Sequence, residues 1–370
     1  MTCSANRTKI RIIKRAQQKG LYMEDLPFGA IAALTGLLAG IVLGLAARLG
    51  DFCTLGALES ALYGDDQRRL RLWGVVLAVA ILGTFLGNAA GLIDIGGSFY
   101  HQIAWNPLAS IFGGLLFGYG MAMAGNCGFG ALVRFGGGDL RSLVVVVVMG
   151  IFAFIALSGP LASLRTMLFP QVDASGPQGI ANDLSGLTGV SPLVVAVLIA
   201  LAFLVWALSH APLRAKPLQL AWGVAAGLAV VWSFAATSWL AAESLGAVQV
   251  EGLSFTAPLG RTLIWLMTST AGGVSFSVGA VFGVMVGALA GSIWRGLFRW
   301  EACEDPRELG RQVSGAAMMG IGGVVALGCS VGQGVSAFAT LAWSGPVTLA
   351  AIVVGAVFGL RRLIGGFQPE

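Results

Sequence analysis

Nine long apolar runs divide this chain, and most of them approach the length that crosses a lipid bilayer, about 20 residues in a helix. Hydrophobic residues fill 56% of the 370 positions and charged residues only 11%, with a mean hydropathy of +0.85. This composition excludes an ordinary soluble protein. The sequence predicts an all-α polytopic membrane protein with about nine long transmembrane helices. The runs lie at about 28–48, 73–93, 108–124, 142–158, 192–210, 218–240, 275–294, 313–328 and 346–360.

Basic residues form short clusters between these runs, and positive charge marks the cytoplasmic side of a membrane protein. This predicts a membrane protein with a cytoplasmic C-terminus and no nucleic-acid partner. Nine crossings then place the N-terminus outside, whereas six Lys and Arg residues in the tail 1–27 favour the inside. An extra short crossing by residues 51–65 would remove the conflict, so the side of the N-terminus stays open. The clusters are Arg68, Arg69 and Arg71; Arg214 and Lys216; Arg295 to Arg311; and Arg361 and Arg362.

One short pattern, a cysteine followed three positions later by a glycine, occurs three times, each time just after an apolar run. The three copies are Cys53-Thr-Leu-Gly56, Cys127-Gly-Phe-Gly130 and Cys329-Ser-Val-Gly332. The apolar stretches that follow, 53–63, 127–135 and 330–343, are too short to span, so we interpret them as re-entrant half-helices. Irregular backbone at membrane depth is tolerated only where protein or a water-filled cavity surrounds it. The pattern therefore predicts that the three thiols line a pathway.

The residue types around these cysteines suit a small anion. Helix N-termini present unpaired N–H groups, and a thiol is a weak donor and acceptor that touches an anion without trapping it. Arg134 could attract an anion to the inner mouth, although an ordinary positive-inside anchor explains it equally well. For each single cysteine the competing interpretation is a small buried hydrophobe, and for Asn126 it is a helix cap. The candidate pathway residues are Cys53, Gly56, Asn126, Cys127, Gly128, Gly130, Arg134, Cys329, Ser330, Gly332 and Gln333.

The remaining cysteines predict little chemistry. Cys3 lies in the polar tail and Cys303 in a charged stretch, and both are interpreted as ordinary thiols. An odd number of cysteines, no CxxC pair and only two histidines argue against a disulfide framework, a metal site or a bound cofactor.

Two parts of the chain resemble each other: residues 113–135 and 320–338 both hold a glycine-rich helix followed by the cysteine pattern. An odd number of crossings separates them, so they run in opposite senses, as in the inverted repeats of transporters. We therefore expect a tail at 1–27, a first half at 28–210, a second half at 211–363 and a tail at 364–370. Two rows of glycines with GxxxGxxxG spacing predict tight helix packing and suggest a second pair of helices related by the inverted repeat: Gly36, Gly40 and Gly44, and Gly283, Gly287 and Gly291.

The stretches "GDFCTLGA", "AGNCGFGALVRFGGGDLRS" and "ALGCSVGQGVSAFA" resemble, in this order, the YeeE/YedE family of bacterial sulfur-compound transporters. The resemblance implies uptake of thiosulfate through an hourglass-shaped protein of the bacterial inner membrane. It also implies a central path lined by Cys53, Cys127 and Cys329, and a small cytoplasmic sulfurtransferase as a possible partner.

Other functions remain open from the sequence. The protein could transport another sulfur or selenium species, because glycine and cysteine do not reveal the substrate. It could also be a membrane thiol enzyme that exchanges sulfane sulfur or electrons at Cys127. No second cysteine lies within two residues and no His, Asp or Glu lies beside the motifs to activate a thiolate, so we expect no enzyme. A channel for small neutral solutes is weaker still.

Overall fold

The computed structural model describes residues 27–365 apart from 175, 177, 271 and 303–305. The described part is helical, with isolated backbone bridges and no β-strand. Its helices are α1 Pro27–Gly50, α2 Thr54–Tyr63, α3 Arg68–Ala89, α4 Phe99–Gln102, α5 Pro107–Ala124, α6 Gly128–Gly136, α7 Leu140–Leu157, α8 Ala162–Leu168, α9 Ile180–Thr188, α10 Pro192–Leu208, α11 Ala211–Arg214, α12 Pro217–Glu243, α13 Ala257–Thr268, α14 Phe276–Trp294, α15 Pro306–Val325, the π-helix π1 Gly332–Ala337, and α16 Ser344–Gly365.

Local sequence sets the ends of the helix that leads to the central cysteine. The Asn106 side chain accepts a hydrogen bond from the Ala109 N–H at 3.2 Å, and Pro107 occupies the first turn of α5. Both features are favoured at helix starts because the first N–H groups lack partners within the helix. The helix ends at Gly125, whose φ of 73° lies in the left-handed region that glycine adopts without strain. The chain is thereby broken two residues before Cys127.

The all-α membrane class is confirmed, and each of the nine apolar runs lies on a helix. Within the described residues, seven helical stretches are long and apolar enough to cross a membrane. An eighth arises if Ile180–Thr188 and Pro192–Leu208, bent by 117°, count as one span. Helix α15 does not qualify because its first turns carry Arg307, Glu308 and Arg311. The count of nine therefore stays a prediction.

The two GxxxGxxxG rows pack against each other, which confirms the tight packing. A β-carbon on Gly44 would lie 2.5 Å from the Val284 carbonyl oxygen, and Gly36 and Gly40 face α14 equally closely. The paired residue numbers rise together along both helices, from Gly29 beside Val274 upward, so α1 and α14 run parallel. Parallel helices cannot be equivalents in an inverted repeat. Assigning these two rows to such a pair was wrong, because small residues mark close packing of any two helices.

The helices that precede Cys127 and Cys329 also pack directly on each other. A β-carbon on Gly113 would lie 2.7 Å from the Gly322 carbonyl oxygen, and one on Gly120 would lie 2.6 Å from the Gly315 carbonyl oxygen. Here one residue number rises as the other falls, so α5 and α15 are antiparallel. Their opposite senses are those that the sequence predicts.

Candidate functional site

Each of the three cysteines stands at a break between two helices. Cys53 is the N-cap of α2 and Cys127 the N-cap of α6, both with extended backbone, and Cys329 lies three residues before π1. The Cys127 sulfur accepts a hydrogen bond from the Gly130 N–H at 3.3 Å, and the Cys329 sulfur accepts one from the Gly332 N–H at 3.3 Å. The CxxG spacing thus lets a sulfur satisfy the N–H three residues ahead. Cys53 has no such bond.

The structure brings the three thiols together. A β-carbon on Gly130 would lie 3.7 Å from the Cys127 sulfur and 4.0 Å from the Cys53 sulfur, so both thiols flank one point. The Cys127 thiol also interacts electrostatically with that of Cys329. Among the described residues no three His, Cys, Asp or Glu side chains are grouped closely enough to hold a metal ion. The thiols are therefore neighbours but are not arranged as metal ligands.

Aromatic side chains accompany the cysteines and bury them. The Phe52 and Phe129 ring centroids are 6.3 Å apart, and those of Phe129 and Phe255 are 5.3 Å apart. All three rings are buried. Cys127 and Cys329 are free and fully buried, while Cys53 is free and half-buried. The thiols thus occupy a water-poor interior that is most open at Cys53.

Several buried polar atoms beside the cysteines have no hydrogen-bond partner within the described part of the chain. A buried polar atom without a partner costs free energy, so each marks a place for water or a solute. The Ser330 hydroxyl lies close enough to interact with the Cys127 thiol, but its geometry makes no hydrogen bond. These atoms are Thr54 Oγ1, Asn126 Oδ1, Ser330 Oγ and Gln333 Oε1.

The glycines of the motifs differ in what surrounds them. A β-carbon on Gly128 would lie 2.6 Å from Met149 Sδ, and one on Gly332 would lie 2.6 Å from Ser254 Oγ. Protein atoms therefore occupy the space beside these two glycines, which leaves no room there for a solute. Gly56 differs, because the nearest atom to its missing side chain is Arg69 Nη1 at 2.9 Å.

Arg134 lies exposed in the last turn of α6, among other charged side chains. It interacts electrostatically with Arg48 and Glu59, and Arg48 in turn with Arg295. The sequence does not single out Arg69, Thr54 or Phe255. Arg69 is hidden among neighbouring arginines, and only long-range packing places Phe255 at Cys329.

The profile of the sulphur-transport family, Sulf_transp, matches residues 49–358 of this chain, which include all three cysteine motifs. The chain belongs to this family. The predicted YeeE/YedE resemblance is thus confirmed, and the protein is a multi-pass membrane protein of a family that transports sulfur compounds.

Two curated Sulf_transp relatives are similar to this chain over nearly its whole length. The thiosulfate transporter TsuA of Escherichia coli (strain K12) is 25% identical over 335 residues, which cover 87% of this chain and 92% of the relative. The thiosulfate transporter TsuA of Spirochaeta thermophila (strain ATCC 700085 / DSM 6578 / Z-1203) is 25% identical over 326 residues, covering 84% and 93%. Both names indicate a transporter rather than an enzyme.

Proposed function

We propose that this protein imports thiosulfate or a close sulfur oxyanion along a path lined by Cys53, Cys127 and Cys329. The observation that carries this proposal is the convergence of the three thiols from three separate helix breaks. Convergence of short helices at a narrow centre would give the hourglass shape that the sequence resemblance implies. The names of the two relatives support thiosulfate as the substrate.

The solute would move by successive weak contacts with the thiols. A dianion stripped of water without partners faces a penalty of tens of kcal/mol, so the path must offer many donors. The thiols themselves supply donors, and a solute beside the sulfurs can share the Gly130 and Gly332 N–H groups, which donate to Cys127 and Cys329. The unpartnered hydroxyls of Thr54 and Ser330 add two more. Because each donor is neutral, none holds the anion permanently.

The proposed orientation in the membrane follows from charge. The end of the molecule where α1 ends and α3 begins carries Arg48, Arg69 and Arg295, and the positive-inside rule places this end in the cytoplasm. The C-terminus of α16 then also faces the cytoplasm of a bacterial cell, with the protein in the inner membrane. Transported sulfur would pass there to a small sulfurtransferase.

A second candidate is a transporter of another sulfur or selenium species through the same path, and a third is a thiol enzyme that exchanges sulfane sulfur. Uptake of labelled thiosulfate by the purified protein in proteoliposomes tests the proposal. Saturable uptake, absent from protein-free vesicles and competed by unlabelled thiosulfate, supports it. Uptake of labelled selenite or another labelled sulfur species, without thiosulfate uptake, supports the second candidate. A persulfide formed on a cysteine during turnover supports the enzyme.

A further inference from the structure

Arg69 lies near Cys53, the one of the three cysteines that is closest to the arginine-rich end of the molecule. The point where a β-carbon on Gly56 would stand is 2.9 Å from Arg69 Nη1 and 3.7 Å from the Cys53 sulfur. The absence of a side chain at Gly56 is what leaves the guanidinium room beside that sulfur. Cys329 differs, since its sulfur accepts hydrogen bonds from two neutral backbone N–H groups, those of Phe255 and Gly332.

The protein leaves this guanidinium only loosely engaged. Arg69 forms one ion pair, with Asp51 at 3.8 Å, and no hydrogen bond within the described residues. The same Asp51 carboxylate also faces Arg295 at 3.9 Å. The preceding residue, Arg68, is held much more firmly, because its guanidinium donates three hydrogen bonds of 2.6–2.9 Å to Asp66.

Arg134 approaches the same place from α6. The Glu59 carboxylate interacts electrostatically with both Arg134 and Arg69, so the two guanidinium groups border one region. Arg134 has neither an ion pair nor a side-chain hydrogen bond among the described residues, and it is exposed. One loosely engaged cation, Arg69, thus stands near the half-buried thiol of Cys53, and a second, Arg134, borders the same region through Glu59.

We propose that Arg69, assisted by Arg134, forms a release site for a divalent oxyanion beside Cys53, with Asp51 as the competing counter-ion. The anion leaves the neutral thiol contacts for the Arg69 guanidinium, whose planar donors match an oxyanion. When the anion departs, the ion pair between Arg69 and Asp51 forms again. Because Arg69 is 40% exposed, water screens the attraction and the anion can leave. This inference rests on the proposed thiosulfate transport.

The first experiment measures binding without transport. A variant that keeps Cys53 as its only pathway cysteine is treated with N-ethylmaleimide, either in permeabilised membranes or as solubilised protein. The treatment is repeated at rising concentrations of thiosulfate and, in parallel, of sulfate. The midpoint of protection is the anion concentration that halves the labelling of Cys53. Both anions should protect Cys53, because the site recognises a divalent oxyanion. Arg69→Gln should raise the midpoint of protection roughly tenfold, as expected for one charge-assisted hydrogen bond. Arg69→Lys should restore part of it, and the neighbouring control Arg68→Gln should leave it unchanged.

The Asp51→Asn substitution should change the midpoint of protection in the opposite direction to Arg69→Gln. Asp51 has a φ of 59°, which asparagine tolerates, so the turn should survive the change. Removing the competing carboxylate should lower the midpoint of protection and slow release. Equal midpoints in wild type, Arg69→Gln and Asp51→Asn would overturn the proposal.

The second experiment measures uptake in proteoliposomes and separates this inference from the proposed function. Arg69→Gln should lower the maximal rate roughly tenfold, with the KM for thiosulfate on the entry side changed less than about twofold. A raised entry-side KM with an unchanged maximal rate would place Arg69 at the entrance and refute the release site. Absence of thiosulfate uptake by the wild-type protein would refute the proposed function, while protection of Cys53 would still support an oxyanion site at Arg69.

Discussion

The backbone N–H of Phe255 donates a hydrogen bond of 3.3 Å to the sulfur of Cys329. The Gly332 N–H donates to the same sulfur, also at 3.3 Å. A thiol is only a weak acceptor, so two donors aimed at one sulfur create a spot that favours negative charge. A solute oxygen or sulfur near Cys329 can share these donors. In the proposed pathway, the solute would first meet neutral donors at Cys329 and would last meet a cation near Cys53.

Replacing Cys127 by Ala should reduce thiosulfate uptake at least tenfold while the protein still inserts in the membrane. Cys127 is the central thiol, between Cys53 and Cys329, and its loss removes a contact that no other side chain replaces. The lost N-cap bond to Gly130 costs about 1 kcal/mol, too little to unfold the protein. Initial uptake rates are normalised to the protein measured in the membrane.

The control is Cys303→Ala, which should be nearly silent. Cys303 lies outside the described residues, and the sequence places it in a charged stretch far along the chain from any motif. An essential Cys303 together with a dispensable Cys127 would show that the pathway has been misassigned.

An experimental structure should superpose about 108–158 on 313–360 by rotation about an axis in the membrane plane. The antiparallel packing of α5 and α15 supports this, as does the matching of two close contacts. A β-carbon on Gly118 would lie 2.8 Å from the Ala356 N, and one on Gly320 would lie 2.8 Å from the Ala153 N. An axis along the membrane normal would refute the inverted repeat.

The same rotation should place α1 to α3 on α12 to α14. Helices α3 and α12 form a parallel pair, with Gly223 on Leu72 and Gly227 on Val79, just as α1 and α14 do. The rotation exchanges these two pairs and brings Thr256, the N-cap of α13, to the place of Cys53, the N-cap of α2. The second half would then carry one thiol where the first carries two. A superposition that separated Thr256 from Cys53 would contradict this part.

The sequence predicts the features that local pattern controls. Apolar runs and the CxxG spacing identify the long helices, the breaks and the three cysteines, because length, hydropathy and capping chemistry are local. The helix that a glycine row packs against is not determined by the local sequence. The sequence therefore does not show that α1 and α14 pack in parallel, which excludes them as equivalents in an inverted repeat. Arg69 was missed for the same reason: its position beside Cys53 depends on how α3 packs against α2. The π-helix after Cys329 likewise has no sequence signal.

Glu251→Gln should raise the melting temperature at neutral and higher pH by roughly 1–2 °C. Burial raises the pKa of the Glu251 carboxyl above its usual value, and Arg261, 3.9 Å away, opposes this only in part. The folded protein therefore binds the proton more tightly than the unfolded chain. The stability this contributes is full below the usual pKa of 4.5 and is lost as pH rises through the raised value.

Melting curves of both proteins from pH 4 to pH 8 test this linkage, with the exposed Glu243→Gln at the end of α12 as the control. The difference between Glu251→Gln and wild type should grow as pH rises, and the control should show no such trend. A destabilised Glu251→Gln at pH 8 would mean that the ion pair to Arg261 outweighs the cost of burial.

Cysteine-to-serine variants separate a hydrogen-bonding relay from covalent sulfur chemistry. Serine keeps a donor and an acceptor at nearly the same place, although it is smaller and more strongly hydrated. If the thiols act only through weak contacts, serine at Cys53 or Cys329 should retain part of the uptake that alanine loses. Serine at Cys127 should retain less uptake if the path is narrowest there.

A persulfide mechanism predicts that serine fails at every position where the persulfide forms, because a hydroxyl cannot carry sulfane sulfur. Initial uptake rates of Ser and Ala variants at all three positions, normalised to membrane protein, distinguish the two. Uptake above the Ala level in at least one Ser variant supports the relay, whereas equal loss in every Ser and Ala variant, with a persulfide trapped on the wild-type protein, would replace it with covalent transfer.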